Sequence, residues 1–180
     1  MKSIKSSLPL LVVIALGIVA DVYLFNTTYH PQSPATSTTS ILTFPERIGN
    51  VTVLKAYVGN EGIEKIKSIH WDPEALKGLV NGAVVIYSDG SIAWIAELKS
   101  PVIAKKLEDE MVNRIAQLQG KLPYGTPIPH QIGNTTFYII PDVRDRVHIL
   151  WREGRYLIWL ELGSQGVKVL NAYIKYYWGK

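Results

Sequence analysis

The pattern of apolar residues along this chain predicts an α+β domain, a mostly antiparallel sheet with helices packed on one face. Three observations predict it. β-branched and aromatic runs come in pairs around Gly-containing turns, as in hairpins. Stretches with apolar residues three and four apart lie between them. The two kinds of stretch are interleaved along the chain rather than segregated.

Taken in order, Val51 to Val58 alternates and is β-rich, so it reads as a strand, and Gly59-Asn60 ends it. Ile63, Ile66, Ile69 and His70 then recur at helical spacing, with Asn60 as the expected N-cap. Ala83–Tyr87 and Ile92–Leu98 flank Ser88-Asp89-Gly90-Ser91, an Asp-Gly turn between two strands. Ser100-Pro101 opens a long helix to about Gln119, with Ser at the N-cap and Pro in the first turn. Its apolar stripe runs through Ile103, Leu107, Met111, Ile115 and Leu118, with Arg114 on the same side. Residues 120–135 are rich in Gly and Pro and read as a loop. Phe137–Ile140 is a short strand. Val147–Trp151 and Tyr156–Leu162 form a second hairpin, and Gln165–Trp178 is a last helix on Val167, Leu170, Ile174 and Tyr177. The first six elements therefore follow the ferredoxin-like βαββαβ order, followed by a second hairpin and the C-terminal helix.

The two hairpin-and-helix stretches also resemble each other. Residues 84–100 can be laid on 148–164 so that Tyr87 meets Trp151, Gly90 meets Gly154, and Glu97-Leu98 meets Glu161-Leu162. An internal ββα duplication would explain this. So would the shared grammar of any two Gly-turn hairpins that precede helices.

Before the domain, residues 8–25 are almost wholly apolar, follow Lys2 and Lys5, and carry one charge, Asp21. At ~1.5 Å per residue they would span about 27 Å, roughly one hydrocarbon core. The shorter core Leu8–Ala20 would also suit a cleaved signal peptide. Basic residues ahead of the segment favour a cytoplasmic N-terminus and an extracytoplasmic C-terminal domain. Residues 26–43 are dominated by Ser, Thr and Pro and read as a linker, leaving 44–180 as one domain. Asn26, Asn50 and Asn134 each begin a glycosylation sequon.

A net charge of +4 spread along the chain, without a Lys/Arg block, argues against a nucleic-acid partner. The chain has no cysteine, so disulfides, thiol nucleophiles and Cys zinc sites are excluded. No nucleophile elbow, P-loop, dinucleotide fingerprint or spaced metal set occurs, and no cofactor or metal is expected. His70 fits a helix C-terminus, His148 a hydrogen-bonded strand position, and His30 and His130 lie in the linker and the loop. Glu108-Asp109-Glu110 reads as a solvated face paired with Lys105 and Lys106. Glu97 and Glu161, at equivalent strand ends, are weighed as an acid/base pair. The more ordinary reading is contact with the helix that follows each.

The five tryptophans are the unusual content. Most should be core, but alternation can place Trp94, Trp151 and Trp159 on an open sheet face as contacts for a partner. The Gly59-Asn60-Glu61…Ile66…His70 helix, the Tyr87-to-Trp94 hairpin, the Met111 helix and the His148…Trp151…Trp159 hairpin resemble an uncharacterised family of exported, membrane-anchored α+β proteins. The likeness spans about residues 50–178, with Gly62 where that family has Ala. It implies a fold and a location, and no activity. The expectation is a membrane-anchored, non-enzymatic extracytoplasmic domain that contacts a protein at the cell surface. The alternative is an exported binding module for a small apolar or glycan ligand, and the third reading a hydrolase using Glu97, Glu161 or His148.

Overall fold

The computed structural model describes residues 42–70 and 73–178. Its strands are β1 (Arg47–Ile48), β2 (Val51–Val58), β3 (Leu79–Tyr87), β4 (Ile92–Leu98), β5 (Ile128–Ile132), β6 (Thr135–Pro141), β7 (Val147–Glu153) and β8 (Tyr156–Glu161). Its helices are α1 (Asn60–Ile69), α2 (Pro101–Gln117) and α3 (Gly166–Trp178), with a 3-10 turn at Pro73–Leu76. All eight strands join one antiparallel sheet in the order β1-β2-β3-β4-β8-β7-β6-β5.

The elements read from the sequence are all present in the order read, but the strand order in the sheet does not follow that reading. A split βαβ start would set β2 beside a parallel strand. Here β2 pairs directly and antiparallel with β3 across α1. Apolar periodicity fixes which residues are buried, but carries no information on the direction in which a strand returns. Two strands were also hidden. β1 is two residues long, too short to show a pattern. β5 lies in the Gly/Pro-rich stretch read as a loop, and its Pro129 is tolerated because β5 is an edge strand.

The helices cover both faces of the sheet, not one. Tyr87, Ile95, Ile149, Trp151, Ile158 and Leu160 face α3, which contributes Val169, Leu170, Tyr173 and Ile174. Val84, Ala96, Leu150 and Leu157 face the other way, against Ile66 of α1 and Ala104, Leu107 and Ile115 of α2. Double coverage is why residues 83–85 and 147–151 are buried without alternation. It also limits the internal likeness of the two hairpin units, since α2 and α3, which follow them, pack on opposite faces.

Three local devices set the layers. Gly62 of α1 lies against Gly82 of β3, where a Cβ would overlap the Gly82 carbonyl oxygen. Asn60 is the first helical residue and gives no side-chain cap, whereas the Ser100 hydroxyl caps α2 by accepting from the Ile103 amide at 3.3 Å. The Asp89 carboxylate accepts from the Ser91 amide at 3.0 Å, the Ser91 hydroxyl at 2.9 Å and the Gln165 amide at 3.0 Å. The β3–β4 turn is thereby fastened to the start of α3.

Leu42, two residues before the expected boundary, is buried in the α3-side core. Tyr177 donates to the Thr43 carbonyl at 3.2 Å and Tyr87 to the Pro45 carbonyl at 2.7 Å. Among the described residues, no helix is long and apolar enough to cross a membrane. The apolar segment 8–25 and nearly all of the linker lie outside the described residues, as do His30 and Trp71.

Candidate functional site

Trp94 of β4 and Trp159 of β8 are direct cross-strand partners, so strand alternation points both at the α1–α2 layer. Ala96, two residues beyond Trp94, is small and leaves room beside the two indoles. The space that results is a cavity of about 330 Å³ between the sheet and helices α1 and α2. This is the lower end of the range in which small molecules bind, ~300–1,000 Å³. Leu107, Met111 and Ile115 of α2, at successive i,i+4 positions, make one wall, and Ile66 and Ile69 of α1 another. Leu76, Leu122, Leu150 and Leu157 complete the apolar lining. His70, Arg114 and Glu161 are its charged or titratable members, and Tyr124 joins the aromatics.

Behind Trp159 runs a chain of polar contacts. The Trp159 indole N–H donates to Nδ1 of His148 at 3.2 Å. Nε2 of His148 lies 3.3 Å from Oδ2 of Asp142. An indole can only donate and a carboxylate only accept, so the imidazole is the neutral tautomer with its hydrogen on Nε2. Both nitrogens are thus hydrogen-bonded in the neutral ring, and Nδ1 can take a proton only by giving up the indole contact. Burial pushes His148 below its usual 6.5, against the opposing pull of Asp142. Burial alone would raise Asp142, but hydrogen bonds from the Arg144 side chain and backbone, then His148, outweigh it and hold the carboxyl at about 2. Tyr124 packs edge-on against both His148 and Trp159, with ring centroids 5.1 and 5.4 Å apart, and burial raises its phenol.

The other sequence candidates fall elsewhere. Trp151 is fully buried on the α3 side, stacked on Phe137 at 5.5 Å, so it offers no contact surface. A one-residue change of register exchanges sheet faces, and this separates Trp151 from its neighbours Leu150 and His148. Glu97 and Glu161 do not converge. Glu161 shares the cavity side with Trp159, while Glu97 alternates with Ala96 and Leu98 and points to the opposite face. Each carboxylate is paired with an arginine, Glu97 with Arg155 and Glu161 with Arg146. Glu108 is not solvated. It is buried 3.5 Å from Arg152, and burial raises its carboxyl. Its neighbours do form the expected surface pairs, Lys105–Asp109 at 2.5 Å and Lys106–Glu110 at 3.7 Å. His130 lies on edge strand β5, and Asn50 and Asn134 are exposed in turns.

Sequence reasoning missed the part played by Arg114 and Tyr124 beside the two tryptophans, and the bond between Asp142 and His148. Periodicity would count Arg114 only as a polar break in the α2 stripe, and Tyr124 and Asp142 lie in irregular segments. Among the described residues, no three His, Asp or Glu side chains are grouped to hold a metal. No family model, curated protein or solved structure matches the chain.

Proposed function

We propose that the domain is a binding module for a small, largely apolar molecule seated between the sheet and helices α1 and α2. The carrying observation is the cavity itself, with Trp94 and Trp159 side by side on its floor and aliphatic side chains around it. Filling such a space removes apolar surface from water at ~25 cal/mol per Å², a driving force that needs no catalytic group. His70, Arg114 and Glu161 supply polar contacts for one end of the ligand. The apolar segment 8–25, together with the resemblance of residues 50–178 to exported, membrane-anchored proteins, supports an extracytoplasmic setting at a membrane.

This reading is preferred to docking of a protein on an open aromatic face. The exposed large apolar residues, among them Leu54, Ile69, Val102, Ile128 and Val143, are distributed over seven different segments. Single exposed apolar residues are ordinary, and a docking face requires them contiguous. The test is naphthalene titrated into the full chain in detergent micelles, read by the indole NMR signals of Trp94 and Trp159. Both signals should shift saturably, and Ala96→Phe, which fills the cavity, should abolish the shifts while the chain stays folded. Equal shifts in the native and Ala96→Phe chains would overturn the reading.

A further inference from the structure

We propose that His148 is a pH-operated positioning residue, which holds Trp159 as a wall of the cavity when neutral and exchanges it for Glu161 when protonated. The inference rests on the reading of this cavity as a ligand site. It is carried by the disposition of acceptors around one imidazole. Nδ1 accepts from the Trp159 indole at 3.2 Å, and the Glu161 carboxylate waits 4.0 Å from the same atom. Trp159 and Glu161 both line the cavity. A proton arriving from solvent at Nδ1 leaves two N–H donors facing each other across the Trp159 contact, and that hydrogen bond cannot survive. The Glu161 carboxylate, 4.0 Å away, is an acceptor within a small rotation of the new N–H. Nε2 keeps its bond to Asp142 throughout, so the ring turns about a fixed end.

The surroundings make the protonated form tolerable without making it the resting form. The β6–β7 connection presents Asp142 and Arg144, which pair at 2.5 Å, and Arg146, which pairs with Glu161. β8 presents Glu161 beside Trp159, and the connection before β5 presents Tyr124 edge-on. The imidazolium would therefore lie between two carboxylates, each already shared with an arginine. Burial is the larger influence and keeps His148 neutral at and above its ordinary 6.5. Exchange belongs to more acidic conditions. By linkage, a ligand that prefers the neutral arrangement must lower the protonation midpoint of His148 as it binds.

The experiment follows the indole N–H signal of Trp159 and the ring nitrogens of His148 in the full chain, from about pH 8 to about pH 5. Trp159→Phe identifies the indole signal. At the alkaline end, Nδ1 should read as an unprotonated acceptor and Nε2 as protonated. Both Trp159 and Nδ1 should then titrate together, with a midpoint below 6.5. Over the same range naphthalene affinity should fall about fivefold, the worth of one neutral hydrogen bond. His148→Gln, which keeps a donor and an acceptor but cannot titrate, should flatten both curves. A Trp159 signal indifferent to pH overturns the proposal, as does a Nδ1 already protonated at about pH 8. The nitrogen measurement needs no variant, so a His148→Gln chain that fails to fold does not blunt the test. Naphthalene that leaves both indoles unmoved while Trp159 still titrates sinks the cavity reading, and not the positioning role.

Discussion

Trp151 and Trp159 differ in fate because of one hairpin register. Trp151 faces the α3 core with no exposed surface, and Trp159 faces the cavity and is partly open. Trp151→Ala should cost ~3–5 kcal/mol in denaturant titration, whereas Trp159→Phe should cost far less and change the cavity wall. The turn glycines were legible from the sequence. Gly90 and Gly154 have φ of 85° and 55°, with open space where a Cβ would go. Replacing either by Val should cost ~1–3 kcal/mol through backbone strain alone. Gly62 was not legible, because its constraint comes from Gly82 twenty residues on. Gly62→Ala gains helix propensity worth ~1 kcal/mol, yet should lower the unfolding midpoint, because the new Cβ forces α1 off β3. A gain in stability would contradict the packing described. The sign for His148 follows from its depressed folded value. The unfolded chain takes up a proton near 6.5 that the folded chain refuses. Its contribution is complete above 6.5 and declines as the pH falls below that value, a slope that His148→Gln should remove.

At the scale of elements, hairpins and helices were readable because their signals are local. Asp-Gly and Glu-Gly turns, the Ser100-Pro101 start and the i,i+4 stripe of α2 each lie within a few residues. What could not be read is how elements are joined. The start of α3 is bound by Asp89, seventy-six residues earlier, and the Gly163 amide donates to the Ser91 hydroxyl at 2.8 Å. Asp89→Ala removes the acceptor for three donors and should cost about 2 kcal/mol, more than Ser100→Ala, which loses a single cap worth ~1 kcal/mol. Equal losses in thermal unfolding would show that the tie between β3–β4 and α3 contributes nothing beyond an ordinary cap. Strand order belongs to the same class of unreadable facts. The β2–β3 pairing is accompanied by the close Gly62–Gly82 approach of α1 to β3, a contact between residues twenty apart that no strand's own pattern announces.

Over the whole molecule, one sheet carries two cores, and the candidate site belongs to only one of them. The tryptophan pair could be suspected from its sequence positions, but the cavity needed the pairing of β4 with β8, which residues 99–155 separate in sequence. Leu42 belongs to the core, so a chain starting there should unfold at a higher temperature than one starting at Glu46, which lacks both Leu42 and the acceptors for Tyr177 and Tyr87. Matching midpoints would show that residues 42–45 contribute nothing to stability. This first segment also gives the molecule a mechanical front and back. Tension arriving through residue 42 is taken up by Tyr177, Tyr87 and the α3 core beneath them. These contacts lie with the α3-side core, and the tryptophan-floored cavity is on the other face of the sheet. A domain pulled from that point is gripped by its back, and the tryptophan-floored cavity opens on the face away from the grip.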